Sequence, residues 1–490
     1  TQPAASSTYG SQDVWNDCKA YFNGIGYEMT ASESQSGDTL TVSNITMSSP
    51  EIDETVEVVM RLDTVSFTDN DDGTVSVVFP EVMPMEMNAV DPDGVETDIN
   101  IEVRQPGATT RVSGVPTEMT STYTAPSVEV VLTNLIVDGE AINTADAAMR
   151  MAMNGVSATT QSSVGGKRVY DQRMQAAGVE YTIAFNDPEG DGKVNLDGKV
   201  DGVSYTGESA LPLALLDTGN MSALLAAGMT GEGRISYSGG STNMSVAEDG
   251  ADAFSSQTSS TGGVLDVFMS ADGMRYSGDQ NNLKVAITAQ EFPVPIEFDM
   301  AKASFNLAMP VQKSETPDDF ALGFSFNDFS MSDLLWGMFD PASQLPRDPA
   351  TIALDLTGKA RLLFDFLDPS AEMMSGNPNI TPAELDSVNI NRLQIKAAGA
   401  ELTGEGAFTF DSETPGAGLK PEGSADLMLV GGNRLLDTLV KMGLLPEDQA
   451  MGARMMMGLL AVPGEAPDTL NSKIEINEQG HILANGQRIQ

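Results

Sequence analysis

Cysteine, histidine and tryptophan are scarce in this chain of 490 residues. It contains one cysteine, Cys18, one histidine, His481, and two tryptophans. Thiols and imidazoles carry out most nucleophilic, metal-binding and acid–base chemistry near neutral pH. A single cysteine cannot close a disulfide bond within the chain. The scarcity excludes a disulfide framework, and we predict that the protein is not an enzyme.

Basic residues and long apolar runs are also few. The chain has 26 Lys and Arg against 70 Asp and Glu, a formal net charge of −44. This charge repels the phosphates of nucleic acid, so nucleic acid is not an expected partner. No apolar run approaches the roughly 20 residues that span a bilayer as a helix, and the longest are 211–216, 223–228 and 455–462. We therefore expect no transmembrane helix.

The chain is acidic, but it contains enough hydrophobic residues to form a core. Hydrophobic residues make up 41%, which is enough to bury a core. The chain begins Thr1-Gln2-Pro3 without an initiator methionine, and we expect a mature form from which a signal peptide has been removed. Salt or divalent cations would screen the self-repulsion of so acidic a protein. A periplasmic or secreted location in saline surroundings is expected.

Apolar and polar residues alternate along most of the chain, which is the pattern of β-strands. In one run Val56, Val58, Met60 and Leu62 fall on one face and Val65 and Phe67 resume on the other parity, which predicts a bulge between them. Many such runs end at Asp-Gly turns, as at 272–273. Asp-Gly supplies the positive φ that tight hairpins need. The pattern predicts a mainly β fold of long antiparallel meander sheets, curved or groove-forming, with a few short helices.

Helical periodicity and loop-like composition are confined to short segments. Helices are predicted at 11–25, 211–229 and 332–339, and a helical hairpin at 433–444 and 447–460. Stretches rich in Ser, Thr, Gly or Pro predict loops at 105–126, 239–263 and 412–423.

These elements suggest a division into three regions. Residues 1–170 would hold the N-terminal helix and a β meander, and 171–310 a central β region with the helix near 211–229. Residues 311–490 would form a C-terminal β region with the helical hairpin at 433–460.

One acidic turn resembles the start of a calcium-binding loop. Residues 187–192 read Asp-Pro-Glu-Gly-Asp-Gly, with carboxylates at the first, third and fifth positions and glycine at the sixth. Asp187, Glu189 and Asp191 are therefore candidate metal ligands, and calcium is the candidate ion. The bidentate glutamate expected at the twelfth position is replaced by Gly198, so an acidic hairpin turn is the competing interpretation. No other cofactor is expected.

Methionine is abundant, with 28 residues, and many lie on predicted strand faces. Methionine adapts its shape, so it serves either as core filling or as the wall of a deformable apolar groove. In the second case we expect Met83, Met85, Met87, Phe298 and Phe305 to contact an apolar ligand. Alternation alone does not separate a groove from a filled core, because both show the same pattern.

Several segments resemble one protein family. Val14-Trp15, Gly26-Tyr27 and 36–42 resemble the start of the family known as domain of unknown function 2125. Segments 334–341 and 345–351 are similar to its central signature, and 435–437, 442–446 and 480–489 to its C-terminal region. The resemblance implies a secreted or periplasmic protein of alphaproteobacteria, many of them marine, and assigns no catalytic residue. The C-terminal helices and hairpin also resemble AsmA-like envelope proteins with long β grooves.

Three functions are consistent with the sequence. The first is a non-enzymatic extracytoplasmic protein that binds a lipid or another apolar ligand in a groove for envelope maintenance. The second is a structural or assembly protein of the cell envelope or surface that pairs with another envelope protein through exposed strand edges. The third is a hydrolase with two carboxyl groups roughly 5–9.5 Å apart. The oligomeric state is not predicted.

Overall fold

The computed structural model describes residues 9–49, 56–91, 93–187, 190–213, 220–371, 382–411 and 420–490. It is mainly β, with antiparallel strand pairs and a few short helices, so the predicted fold class is confirmed. The chain divides into two compact units, Thr1–Gln257 and Thr258–Gln490. The three regions inferred from the sequence have other boundaries, and that division stays a prediction.

The helices are short, and they lie close to most of the predicted segments. Their bounds are α1 Ser11–Gly24, α2 Met221–Ala226, α3 Asp333–Phe339, α4 Gly432–Lys441 and α5 Glu447–Leu460. The helix predicted over 211–229, with a break at Gly219 allowed, was wrong at its start, whereas α2 lies in its second part. Leu211 and Pro212 end a strand, where they pair with Arg168 and Lys167, and residues 214–219 lie outside the described part of the chain. At 211–212, backbone pairing with the neighbouring strand outweighs the helical tendency of the local apolar run.

The strands of the first unit include several of about twenty residues. They are β1 Glu28–Ser36, β2 Thr39–Ser48, β3 Val56–Asp69, β4 Val75–Val78, β5 Val82–Val90, β6 Glu96–Arg104, β7 Thr109–Val115, β8 Glu118–Val137, β9 Glu140–Ile142, β10 Ala147–Val164, β11 Lys167–Asn186, β12 Lys193–Pro212, β13 Thr230–Tyr237 and β14 Gly239–Glu248. Strand β15, Ala251–Ser260, runs across the boundary between the units.

The strands of the second unit follow one another as a meander. They are β16 Gly263–Ser270, β17 Gly273–Ala289, β18 Ile296–Met309, β19 Asp318–Met331, β20 Ala350–Leu362, β21 Ala383–Ala397, β22 Ala400–Phe410, β23 Pro421–Val430, β24 Val462–Pro463, β25 Thr469–Ile476, β26 Ile482–Ala484 and β27 Gln487–Arg488. From β16 to β23 each strand pairs with the next, and β23 then pairs with β25 beyond the helical hairpin.

Two of the predicted loops are strands, so those predictions were wrong. Segment 105–126 contains β7 and the start of β8, and 239–263 contains β14 and β15. Their backbone hydrogen bonds go to neighbouring strands, and polar side chains also pair across them, as where the hydroxyls of Thr109 and Thr124 are 2.8 Å apart. Of the predicted loop 412–423, residues 412–419 lie outside the described residues, and β23 begins at Pro421.

The core of the first unit lies under helix α1. Val14 and Trp15 on the helix pack with buried residues of β2 and β3, and the rings of Trp15 and Phe67 are 5.8 Å apart. On β3 the buried positions change parity between Leu62 and Val65, as the sequence indicates, with exposed residues between them. A positive φ of 51° at Asn44 on the paired strand β2 accompanies the change and keeps the apolar side chains on one face.

Candidate functional site

The predicted methionines of strand β5 lie on an apolar face of the first unit. Met85 stands between Met60 of β3 and Ile101 of β6, and directly opposite residues in a sheet project to the same face. Met83 is half-buried and packs against the core under α1. Met87, two strand positions beyond Met85, is 36% exposed. The exposure of these methionines thus increases along β5, from Met83 at the core to Met87 at the surface.

This apolar face continues from β5 across β6, β8, β10, β11, β12 and β14, and we name the whole of it face 1. Strand register places three further rows of side chains on it: Val103, Val130, Met151 and Tyr181; Met149, Ile183, Leu196 and Met244; Phe185, Val194 and Val246. Several are substantially exposed, among them Met151 at 38%, Ile183 at 42% and Phe185 at 42%.

The opposite face of the same strands is polar. The register row next to Ile183 is polar except for one valine, and it contains Glu102, Val131, Arg150, Thr182, Asp197 and Asn243. Arg150 forms an ion pair with Glu129, and the amide of Asn243 donates to Asp197 at 3.0 Å. This side of the sheet is therefore mainly polar, and face 1 is the apolar side.

Phe298 and Phe305 lie on one strand of the second unit, β18. Phe305 faces Gly278 of β17 and Phe324 of β19, and its ring is 48% exposed. The ring of Phe298 packs on Phe329, with centroids 5.4 Å apart.

The apolar surface around Phe305 extends across β19 to β25, and we name it face 2. Its register rows are Phe305, Phe324, Leu354, Leu393 and Leu427; Phe326, Ile352, Ile395, Leu402, Leu429 and Leu470; Leu307, Leu322, Leu356 and Ile390. Exposed fractions of 36–48% at Phe305, Phe324, Phe326, Ile352 and Ile395 show that face 2 is open. That the predicted residues touch a ligand stays a prediction.

A cavity of about 400 Å³ lies in the first unit between α1 and the sheet. Helix α1 contributes Val14, Asp17, Cys18, Tyr21 and Phe22 to its wall. The sheet contributes mostly hydroxyl and amide side chains, which are Ser121, Thr160, Ser162, Tyr170, Gln172 and Ser209, together with Val112, Met119 and Leu211. No pattern in the sequence indicates this cavity, because its lining comes from strands far apart in the chain.

An ion pair beside the cavity links helix α1 to strand β11. Arg168 of β11 donates from Nη2 to the Asp17 carboxylate at 2.6 Å, and the arginine side chain is 11% exposed. The Nη1 atom of Arg168 is buried and has no hydrogen-bond partner. Burial, and next the negative charge of Asp17, raise the pKa of the Cys18 thiol to about 11. Burial also raises the pKa of Tyr170. The cavity thus disfavours additional negative charge.

The candidate calcium ligands are only partly within the described residues. Asp187 and Asp191 are described, and the Asp187 amide donates a hydrogen bond to the Gly192 carbonyl at 2.8 Å. Glu189 lies outside the described residues, so the set of three stays a prediction. Elsewhere in the described part of the chain, no group of three His, Cys, Asp or Glu residues is placed to hold a metal ion.

The model of one protein family matches this chain over residues 224–480, which is 257 of its 490 residues. Its description is "Uncharacterized protein conserved in bacteria", domain of unknown function 2125. The chain belongs to this family. The AsmA-like resemblance stays a prediction. No curated protein matches the chain.

Two solved structures show only marginal similarity. The ferric citrate transporter FecA in its unliganded form is 8% identical, with 94% of this chain and 76% of that chain covered at a TM-score of 0.15. BauA, the ferric preacinetobactin receptor from Acinetobacter baumannii, is 9% identical, with 94% and 79% covered at a TM-score of 0.14. Similarity at this level supports no conclusion. Within the described residues, no helix combines the length and apolar character needed to cross a bilayer.

Hydrogen bonds to one carboxylate and from one guanidinium hold the corner that follows helix α3. Asp340 is fully buried, and its carboxylate accepts hydrogen bonds from the amides of Gln344 at 2.8 Å and Leu345 at 2.9 Å. Arg347 donates to the Asp340 carbonyl at 3.1 Å and to the Asp333 carboxylate at 2.7 Å. These contacts are local and structural, and they hold residues 340–347 in one conformation.

Replacing Asp340 by Asn is expected to give a pH-dependent loss of stability. Burial alone would raise the pKa of Asp340, but hydrogen bonds from Gln344 and Leu345 outweigh it and hold the pKa below its ordinary value. A carboxyl group with a lowered folded-state pKa stabilises the fold above its unfolded pKa of about 3.9, and this contribution is lost as the pH falls through the folded value. The stability difference between wild type and Asp340→Asn should therefore narrow in acid.

Thermal unfolding of the second unit between pH 7 and pH 3 measures this difference. Asp333→Asn is the matched control, since that side chain is 93% exposed and should show a small, nearly pH-independent effect. A gap between wild type and Asp340→Asn that stays constant over the whole pH range would contradict the prediction.

Proposed function

We propose that this protein is a non-enzymatic carrier that binds a lipid or another apolar ligand on faces 1 and 2. The observation that supports it is the exposure of these faces, which are apolar across many strands while the reverse side of the face 1 strands is mainly polar. Soluble proteins rarely leave a large contiguous apolar surface in water unless that surface binds something.

A flexible apolar ligand suits the side chains that form these faces. Face 1 presents the unbranched side chains of Met85, Met87, Met149 and Met151, which adapt to the shape of what they contact. Face 2 presents the flat rings of Phe305 and Phe324 beside aliphatic residues. A lipid chain needs apolar contact area and no hydrogen-bond partners along its length, so a mobile chain can lie on either surface.

The proposed location is the periplasm or the outside of the cell, where the protein would serve envelope maintenance in an alphaproteobacterium of marine surroundings. The charge of −44 supports this location because saline surroundings screen it, and the same charge keeps a protein with open apolar faces soluble and apart from other copies of itself.

Placing a carboxylate on face 1 tests the proposal. We expect Ile183→Asp to weaken binding of Nile red, a neutral apolar probe, and of copurifying lipid about tenfold or more, because a charge on the contact surface must be desolvated. Fluorescence titration and native mass spectrometry after detergent-free purification measure the two quantities. Thr182→Asp is the matched control: it adds the same charge at the adjacent exposed position on the polar face.

The second unit offers a similar comparison. Ile395→Gln, on face 2, should weaken probe binding, whereas Lys396→Gln, at the adjacent exposed position on the other face, should leave it unchanged. A wild-type protein that binds neither Nile red nor lipid, or equal binding by Ile183→Asp and Thr182→Asp, would overturn the proposal.

A further inference from the structure

The helical hairpin of the second unit, α4 and α5, exposes a group of large apolar side chains. Among the described residues the two most exposed large apolar side chains are Met455 at 72% and Met451 at 65%, both on α5. Met456, Leu459 and Leu444 are each exposed by 51–53%. We name these five side chains the hairpin patch. Large apolar side chains that are exposed together mark a surface that contacts something.

The hairpin patch follows one side of helix α5. Met451, Met455 and Leu459 recur every four residues, and positions four apart are neighbours on the surface of a helix. The other side of α5 packs on the protein, since Ala450 is fully buried and Met457 is half-buried. Packing within the second unit therefore uses one side of the helix and leaves the patch in solvent.

Contacts at its base attach the hairpin beside face 2. Arg454 of α5 forms an ion pair with Asp437 of α4, which joins the two helices. At the end of α5 the carbonyl of Leu460 accepts a hydrogen bond from the hydroxyl of Ser472 at 2.5 Å. Ser472 lies on β25 directly opposite Leu427 of face 2. Whatever binds the hairpin patch is therefore held near face 2.

The hairpin has no net charge, although the chain is strongly acidic. Its residues 432–460 contain three basic and three acidic side chains, which are Arg434, Lys441, Arg454, Asp437, Glu447 and Asp448. The whole chain carries −44. An anionic surface would repel the rest of the molecule, whereas an uncharged surface would be free to contact a neutral hairpin.

A bilayer surface suits the hairpin patch better than a second copy of this chain. Two copies repel each other through their charge, and five side chains are few beside the about 20–30 residues that each partner gives to a stable interface. Helices with one apolar side bind in the plane of a membrane, with that side among the outer parts of the acyl chains. The 14 residues of α5 are too few to cross a bilayer, so this orientation is the one open to it.

We propose that the hairpin patch docks the second unit on the surface of an uncharged, zwitterionic bilayer. Helix α5 lies parallel to the membrane, and Met451, Met455 and Leu459 enter the boundary between headgroups and acyl chains. Docking holds face 2 beside the bilayer, from which a lipid would pass to it. This use of the patch rests on the proposed function, and it specifies a membrane as the source of the ligand.

Flotation with vesicles measures the docking. We expect the wild-type protein to float with phosphatidylcholine vesicles, and added phosphatidylglycerol to weaken its partition at low salt because the protein is acidic. Met455→Glu should lower the partition coefficient about tenfold, since its carboxylate must lose water to enter the membrane. Gln449→Glu is the matched control: it adds the same charge at an exposed position of α5 outside the row of Met451, Met455 and Leu459, and its partition should stay within about twofold of wild type.

The outcomes separate this inference from the proposed function. Nile red binding, measured without vesicles, should be the same in wild type and Met455→Glu, because face 1 and face 2 are unchanged. Nile red binding without flotation of the wild type, equal flotation of Met455→Glu and Gln449→Glu, or tighter partition onto phosphatidylglycerol vesicles would overturn the docking and leave the carrier function standing. A dimer in analytical ultracentrifugation that Met455→Glu dissociates would also overturn it. Flotation without Nile red binding would overturn the carrier function alone, and absence of both would overturn both.

Discussion

Replacing Phe67 by Ala is expected to lower the free energy of unfolding of the first unit by about 3–5 kcal/mol. The side chain is 2% exposed and lies in the core under α1, with its ring 5.8 Å from that of Trp15. Removing the ring takes away buried apolar area and leaves a cavity that helix α1 and strands β2 and β3 cannot close without moving. The loss is measured by urea unfolding, with hydrogen–deuterium exchange of peptides from each unit as the probe.

Phe79→Ala is the matched control for this substitution. Phe79 follows strand β4 and is 39% exposed, so its loss should cost less than about 1 kcal/mol. Peptides of the second unit should exchange as in wild type in both variants. Equal costs for Phe67→Ala and Phe79→Ala would contradict the placement of the core under α1.

The mainly β architecture is readable from the sequence wherever one face of a strand is apolar. The alternation through Val56, Val58 and Met60 predicts β3, and the change of parity between Leu62 and Val65 appears in the burial of that strand. Strands β7, β14 and β15 could not be found in this way because Ser, Thr and Gly dominate them. These segments form strands because their backbone groups hydrogen-bond to neighbouring strands, some of which are distant in sequence.

The candidate site was predictable in part for the same reason. Met83, Met85 and Met87 repeat with a period of two, so their common face is visible in the sequence. The cavity behind α1 is not visible in the sequence. Pairing of β10 with β11 brings Ser162 beside Tyr170, and only the packing of α1 on these strands adds Cys18. The buried role of Asp340 is equally hidden, since its partners are backbone amides rather than a recognisable side-chain motif.

Breaking the ion pair between α1 and β11 is the second large effect we expect. Arg168→Met should destabilise the first unit by about 2–3 kcal/mol, because it leaves the Asp17 carboxylate, whose side chain is only 23% exposed, without its counter-charge. We place the cost below the 3–5 kcal/mol typical of a fully buried pair because Asp17 retains some contact with water. The measurement is urea unfolding of the first unit, as for Phe67→Ala.

A double variant shows whether the cost comes from the unpaired charge. Asp17→Asn with Arg168→Met removes both charges and should recover most of the loss, leaving a deficit of about 1 kcal/mol, since replacing a buried pair by neutral groups is often close to neutral. Asp17→Asn alone should be destabilising, because it leaves the more buried partner, Arg168, without its carboxylate. If the double variant is as unstable as the sum of the two single variants, the two side chains do not interact, and the link between helix and sheet must depend on the packing of Tyr21 against Tyr170 instead.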